Sequence, residues 1–368
     1  MSITVCLAAN TLYYPRGGGH RWVYLNWALG LRALGCQVVW LEEIEEGRGE
    51  AEARIGAEAL ARDLEPFGLS GSVAVCGRGA DTAPALERAS EADLLLSFRY
   101  GLSPALVGRF RRTALIDIDP GLLQIWIGGG QLSVAPHDVY LTTSEAVARS
   151  NGRIGDAGIA WRHVPPCVAL EAWPVTPAAE GAAFTTISHW GTYDEWVWAE
   201  DGEDVYLNDK ALGFEPFLDL PARTAQPLEL ALCLAGNQNG DLAALRERGW
   251  RVRHAQRACA TAADYRRYVQ RSLGEFSAAK PSCVRLQNAW VSDRTLCYLA
   301  SGKPAVVEHT GPSALLPDRE GLFRVRDAAE AARALEAIAT DYERQCRLAR
   351  ALVEERFDAR GAAARVLE

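Results

Sequence analysis

The chain has no run of about 18 consecutive apolar residues, the length a membrane-spanning helix needs. Its opening, MSITVCLAAN, has neither a basic region nor a cleavage site, so the expectation is a cytoplasmic protein without a membrane span. An excess of positive charge is missing too. A net charge of -8 and a pI near 5.5 argue against a nucleic-acid or anionic-membrane surface, although a local basic cleft can still hide within an acidic whole. The nine cysteines include no CxxC pair and follow no regular spacing, which excludes a disulfide framework or a metal cage and leaves reduced, mostly buried thiols. The GxGxxG dinucleotide fingerprint is also absent. Glu42 and Glu43 do follow the first glycine run at about the ribose-binding distance, yet the glycine pattern itself disfavours a nicotinamide oxidoreductase.

What is present suits a soluble globular protein. With 368 residues the chain exceeds one compact core, and 49% hydrophobic with 23% charged residues leaves no disordered class to consider. Apolar strands alternate with helical segments: ITVCLAA, residues 20–34, QVVWLEE, residues 50–66 and SVAVC, continued by ADLLLSF, TALIDID and VYLTTS. This is the βαβ pattern of a parallel sheet, whose strand ends bind ligands. Residues 164–183, rich in proline and alanine, suit an interdomain connection. A second series follows with FTTISHW, LELALCLAG, residues 240–248, WRVRHA, residues 261–273, EFSAA, residues 292–301 and PAVVEH. Residues 327–356 read as helices broken near Thr340. The division is an N-terminal Rossmann-like domain over 1–177, a second over 178–350, and a C-terminal helix at 351–368 that packs back on the first.

Three constellations carry candidate chemistry. In PRGGGHRWVYLNW, Gly17, Gly18 and Gly19 join the first strand to a helix and let backbone and ligand approach closely; His20, at the helix start, serves as a general base or contacts phosphate. A flexible turn with a helix-start histidine explains the same string. In IDIDPGLLQIWIGGG, strand alternation points Asp117 and Asp119 to one face; Asp119, nearer the loop, either accepts a proton from a substrate hydroxyl or orients His20, unless both merely cap the turn, and Asp117, Gln124 and Trp126 with the following glycines are expected on the acceptor side. In the second half, Lys280, Arg285 and Arg294 flank a phosphate position, with Lys210 as a less specific cation.

The stretch SDRTLCYLASGKPAVVEHTG, residues 292–311, is the most informative. Ser292, Asp293, Arg294 and Thr295 open a helix whose free N–H groups and dipole attract phosphate, and Arg294 adds a planar guanidinium suited to a diphosphate. Gly302 and Pro304 end the helix, and Glu308 follows the next strand, placed to accept from ribose hydroxyls.

These residues, with YYPRGGGHRWVYLNWALGLRALGCQVVWLE and AAKPSCVRLQNAWVSDRTLCYLASGKPAVVEHTG at the two ends, resemble bacterial GT-B glycosyltransferases, particularly actinobacterial family-1-like members. The resemblance covers nearly the whole chain. It implies an α/β protein of two Rossmann-like domains facing across a cleft, with a nucleotide sugar held by the second domain, the acceptor by the first, and neither a cofactor nor an essential metal. Carried onto this sequence, it places Gly18, Gly19 and His20 at the sugar or diphosphate, Arg294 and Thr295 at the phosphates, and His254 with Ala255 beside the base. One departure stands out: the glutamate that many retaining members carry five residues before the terminal glycine is Cys297, leaving Glu308 or Asp293 to hold the ribose.

The expected activity is therefore transfer of a hexose-type sugar from a nucleoside diphosphate to a small acceptor, in specialised metabolism. A sugar-nucleotide epimerase or hydrolase of the same fold and a noncatalytic sugar-nucleotide binding protein are the alternatives. The resemblance leaves room for a homodimer and fixes neither base, sugar nor stereochemical course.

Overall fold

The structure, a computed structural model, describes residues 2–45, 47, 49–77, 83–147, 153–191, 196–198, 205–234 and 239–368. The first lobe contains β1 (Thr4–Ala9), β2 (Gln37–Glu43), β3 (Val73–Cys76), β4 (Leu94–Ser97), β5 (Thr113–Asp117), β6 (Val139–Thr142) and β7 (Trp161–His163). Among the described residues they form one parallel sheet in the order β3-β2-β1-β4-β5-β6-β7. The second lobe contains β8 (Phe184–His189), a hairpin of β9 (Trp196–Trp198) and β10 (Val205–Leu207), then β11 (Leu228–Cys233), β12 (Arg251–His254), β13 (Gly274–Ser277), β14 (Ala305–Glu308) and β15 (Leu322–Val325). Apart from the hairpin these also run parallel, in the order β12-β11-β8-β13-β14-β15. The fold is thus α/β with two Rossmann-like sheets. Strand order reverses beside β1 in one sheet and beside β8 in the other, the two places where such sheets open a ligand crevice.

Local sequence accounts for the elements around these points. The first helix, Gly18–Ala33, buries Trp22, Leu25, Trp27, Ala28 and Leu31, and Gly35 at φ +82° follows its end. The helix Asp293–Ala300 begins at Ser292, whose hydroxyl accepts from the Arg294 N–H, and Gly302 at φ +69° with Pro304 turns the chain into β14. The helical C-terminal region breaks at Asp341, between the helices Ala328–Thr340 and Tyr342–Arg356.

Four features lie outside the sequence expectations. β7 and β15 are too short to show a period, and the β9–β10 hairpin interrupts the second series. The segment expected as an acceptor-side loop forms the helix Leu122–Gly128, capped where the side-chain Oε1 of Gln124 accepts from the Gly121 N–H at 2.6 Å. The strand expected over 228–236 is seen to Cys233, and residues 235–236 lie outside the described residues.

The connection at 164–183 is pinned rather than free. Lys303 Nζ donates to the Thr176 carbonyl at 2.7 Å, and Arg350 Nη1 to the Trp173 carbonyl at 2.8 Å. After Phe357 the chain returns to the first lobe through a bridge between Val168 and Asp358, and the helix Ala359–Leu367 lies against the first helix. That contact is so close that a Cβ on Gly30 would sit 2.4 Å from the Ala359 carbonyl oxygen.

One hydrophobic cluster spans both lobes, joining Trp22, Trp27 and Trp173 to Tyr265, Leu296 and Tyr298. Trp22 Nε1 donates across the seam to the Ala262 carbonyl at 2.8 Å, and the Trp22 and Trp173 rings lie 4.5 Å apart. Buried Asp63 accepts both from Arg21 and from the Ala262 N–H, at the start of the helix Ala262–Arg271. A second seam joins Pro120, whose carbonyl accepts from Asn288 at 2.8 Å, and Glu145, which accepts from Ser313, Ala314 and Leu315. No described helix is long and apolar enough to cross a membrane.

Candidate active site

His20 stands where β1 hands over to the first helix. Its Nε2 is 2.6 Å from the Asn10 carbonyl oxygen. A carbonyl only accepts, so the network assigns the hydrogen to Nε2 and leaves Nδ1 as the basic atom. The rings of Tyr14 and Tyr24 flank the imidazole at 4.7 and 5.3 Å. Burial, together with the nearby His189 and Arg21 charges, lowers the pKa of His20, while the Asn10 carbonyl works the other way. His189 closes β8 in the opposite lobe, so the crevices of the two sheets face one another here.

Asp119 lies beyond the end of β5, exposed, with its Oδ2 accepting from Tyr100 Oη at 3.1 Å. Asp117 is fully buried beneath it, accepting from the Asp119 N–H, Gln124 and Thr142. Burial pushes Asp117 up to about 7. Asp117 and Gln124, expected to face the acceptor, thus hold the 118–121 loop from below. Trp126 is half-buried against Val197 and Tyr206 of the hairpin. Only Asp119 of this group reaches the cleft, because the strand ends at Asp117 and the alternation that would pair the carboxylates stops there.

Two glycines of the run lie against the opposite lobe. A Cβ on Gly18 would lie 2.1 Å from the Thr261 carbonyl oxygen, and one on Gly19 would lie 2.5 Å from the Tyr265 ring. Both positions face the second lobe, and their lack of a side chain lets the lobes meet.

Arg294 is likewise committed inward. Its Nε donates to Glu275 at 2.6 Å, Nη1 to the Ile187 carbonyl at 2.8 Å and Nη2 to Ser277 at 2.6 Å. Burial is the largest influence on the guanidinium and lowers its pKa, but the charge and hydrogen bond of fully buried Glu275, together with Tyr265 and Tyr298, leave it raised. Arg294 therefore ties β8 to β13 at the switch point, with only its remaining N–H groups free to meet a phosphate. Thr295 is buried, Ser292 caps the helix, and Asp293 sits at its first turn. Burial first, and then Asp119 across the cleft, raise Asp293 to about 7.

Lys210, a weak signal in sequence, is central in space. It is 7% exposed, its ammonium lies 5.7 Å from the Trp290 ring centre, and burial, reinforced by Arg294 and Lys280, lowers its pKa to about 7. Glu308, at the end of β14, accepts from the Ala279 N–H at 2.8 Å and is itself raised to about 7 by burial. With Trp290, Ser292 and Arg294 it encloses a cavity of about 20 Å³ at the floor of the site. The structure thus gathers Lys210, Lys280, Arg294 and Glu308 at the ends of β8, β13 and β14. His254, exposed, ends β12 at the far edge of the same sheet, and Ala255, buried, opens the short helix that follows.

Asn10, Tyr24 and Tyr100 escaped the sequence reading. Tyr24 was within reach, since it follows His20 by one helical turn. Cys297 is buried beneath the first helix, its sulfur 3.8 Å from the Asn26 amide nitrogen. Among the described residues, no three His, Cys, Asp or Glu side chains converge as metal ligands.

No family model and no curated protein matches the chain in sequence. Solved structures do match over its full length. The Anabaena protein HepE in complex with UDP-glucose has a TM-score of 0.60 at 13% identity, covering 99% of each chain. An alpha-glucosyltransferase in complex with UDP-glucose and DNA containing an abasic site has a TM-score of 0.63 at 10% identity, over 100% of this chain and 99% of the other. AviGT4, a glycosyltransferase involved in avilamycin A biosynthesis, has a TM-score of 0.54 at 14% identity, over 99% and 96%. The fold is the GT-B type of glycosyltransferases.

Proposed function

We propose that this protein is a glycosyltransferase that moves a hexose-type sugar from a nucleoside diphosphate to a small-molecule acceptor. The observation that carries the reading is the position of His20: a histidine whose Nε2 is held by the Asn10 carbonyl in one lobe, near His189 at the end of β8 in the other, while Lys210, Lys280 and Arg294 gather at the strand ends of that same second sheet. Lys210 and Lys280, with the free donors of Arg294, neutralise the diphosphate as the glycosidic oxygen takes the electron pair of the breaking bond, so that the chain's own cations do this without a metal. In an inverting course His20 Nδ1 takes the proton of the acceptor hydroxyl as that oxygen bonds the anomeric carbon. Asp119 borders the acceptor, Glu308 or Asp293 accepts from sugar or ribose hydroxyls, and His254 with Ala255 lies on the base side. The GT-B neighbours in complex with UDP-glucose support this donor class.

A small acceptor is favoured over the DNA of one neighbour by the acidic charge of the whole chain. A reducing, cytoplasmic setting fits buried free thiols such as Cys6, Cys167 and Cys297. A second reading, a sugar-nucleotide epimerase or hydrolase, is favoured by one observation, the coupling of Asp119 and Asp293 across the cleft. Melting of the protein with a panel of nucleoside diphosphates identifies the base. Product analysis of the corresponding sugar nucleotide, with and without candidate acceptors, then decides. A new glycoside only when acceptor is added supports transfer; free sugar or an epimer without acceptor supports the second reading, and no turnover of any sugar nucleotide refutes both.

A further inference from the structure

The helix Lys210–Phe214, which carries Lys210 into the cationic cluster, is too short to be stable without its surroundings. Three contacts hold it. The Ala211 N–H donates to the Trp190 carbonyl at 2.8 Å, just beyond β8. A Cβ on Gly213 would lie 1.9 Å from the Ala279 carbonyl oxygen, so the helix presses directly on the chain that leads from β13 to Lys280. The third contact is made by a side chain: Asn208, which follows β10 and is fully buried, accepts through Oδ1 from the Ser282 N–H at 2.9 Å.

That bond fills a gap in the helix Pro281–Leu286. Its N-cap is Lys280, whose side chain has no acceptor, and Pro281 has no N–H, so the Ser282 N–H is the first free donor of the helix. Asn208 supplies from another element the acceptor that an N-cap side chain ordinarily provides. The bond thereby joins the residue two before Lys210 to the residue two after Lys280. Lys210 and Lys280 repel one another, and Arg294 adds to the repulsion. Facing Lys210 from the neighbouring elements are the Cys283 thiol, pushed up by burial, and Glu308, raised to about 7, so neither supplies a full counter-charge at neutrality. Repulsion of this kind drives a lysine toward water unless its backbone is tethered.

We propose that Asn208 is a positioning residue: its hydrogen bond to the Ser282 N–H holds the Lys210 ammonium beside Lys280, so that the two meet the diphosphate together. What the ammonium does rests on the donor class proposed above. What Asn208 does rests on the tether alone.

The test reads Lys210 itself. NMR titration of the full chain labelled at lysine, without ligand, should give a Lys210 midpoint near 7, and Asn208→Ala should raise it by about one pH unit or more as Lys280 draws away and water enters. Binding of UDP, or of whichever nucleoside diphosphate of the melting panel binds, is then measured by calorimetry at pH 6, where the ammonium is charged in either case. Asn208→Ala should weaken it about tenfold. In a Lys210→Met background the same substitution should change affinity by less than about twofold, because Asn208 acts through Lys210, whereas a residue that serves folding alone would act equally in both backgrounds. An unmoved midpoint, or equal losses of affinity in the two backgrounds, overturns the inference. If no nucleoside diphosphate binds the unaltered chain, the donor reading fails and the midpoint alone decides the inference. Should Asn208→Ala melt early, Asn208→Asp, which keeps an acceptor for the Ser282 N–H, is titrated instead: its carboxylate should raise the Lys210 midpoint, and an unmoved midpoint again overturns the inference.

Discussion

The Nε2 atom of His20 lies 2.6 Å from the main-chain oxygen of Asn10, so the strand that ends at Ala9 sets the tautomer of the candidate base at the start of the next helix. In the proposed reaction that carbonyl also steadies the imidazolium once the acceptor proton arrives.

His20→Ala should therefore lower turnover by roughly a hundredfold or more while nucleoside diphosphate affinity changes little. Because burial lowers its pKa from 6.5, the neutral form predominates at pH 7, and kcat should rise with pH on the acid side with an apparent pKa below 6.5. Steady-state kinetics at saturating donor across pH check both points, and undiminished turnover returns His20 to a structural role.

Lys210 should respond in the opposite sense. Its ammonium titrates near 7, so affinity for a nucleoside diphosphate should fall as pH rises through 7. Lys210→Met should cost about 1 to 3 kcal/mol of that affinity and reduce this pH dependence, leaving the part that Glu308 and Asp293 contribute as they ionise. Calorimetry on either side of neutrality reads both effects.

For Arg294, loss of stability should dominate. Arg294→Ala leaves Glu275 buried without its partner, a defect of about 3 to 5 kcal/mol. Denaturant unfolding should show this loss, and the double variant Arg294→Ala/Glu275→Ala should lose less than the sum of the singles. A single variant of unchanged stability would exclude this structural role and leave Arg294 only its proposed contact with the diphosphate.

Gly18→Ala should disturb the seam between lobes, since the new Cβ would meet the Thr261 carbonyl oxygen at 2.1 Å. A loss of about 1 to 3 kcal/mol in stability, with a larger radius of gyration by solution scattering, is the expected result. Unchanged melting and size with weakened nucleotide binding would mean that the glycine faces the ligand instead.

Asp293 costs stability as pH rises. Its pKa is raised from 3.8 to about 7, so the folded state holds the proton more tightly and stability falls as pH climbs through that interval. Asp293→Asn removes the ionisation, and its melting temperature relative to the unaltered chain should increase between pH 4 and pH 7. A difference independent of pH would exclude this linkage.

Much of the architecture was legible in the chain. Apolar runs such as TVCLAA and LELALC are long enough to show a buried strand, and the Ser292 cap with Gly302 and Pro304 delimits a helix by local chemistry alone. The site was legible only as residue types. His20, Lys280 and Glu308 lie at strand or helix ends where the βα pattern predicted candidates. The direction of a side chain at such an end depends on what the opposite lobe presents, and no local pattern records that.

The amino-acid sequence by itself determined two parallel-sheet lobes and their strand ends, because hydrophobic periodicity, caps and turn residues act over a few neighbours. Only the tertiary structure decided that Gly18 and Gly19 serve the lobe seam, that Arg294 is bound to Glu275, that Cys297 lies beneath Asn26, and that Lys210 joins Lys280 and Glu308. Each of these depends on contacts between residues far apart in the chain, where packing and burial rather than local propensity set the outcome.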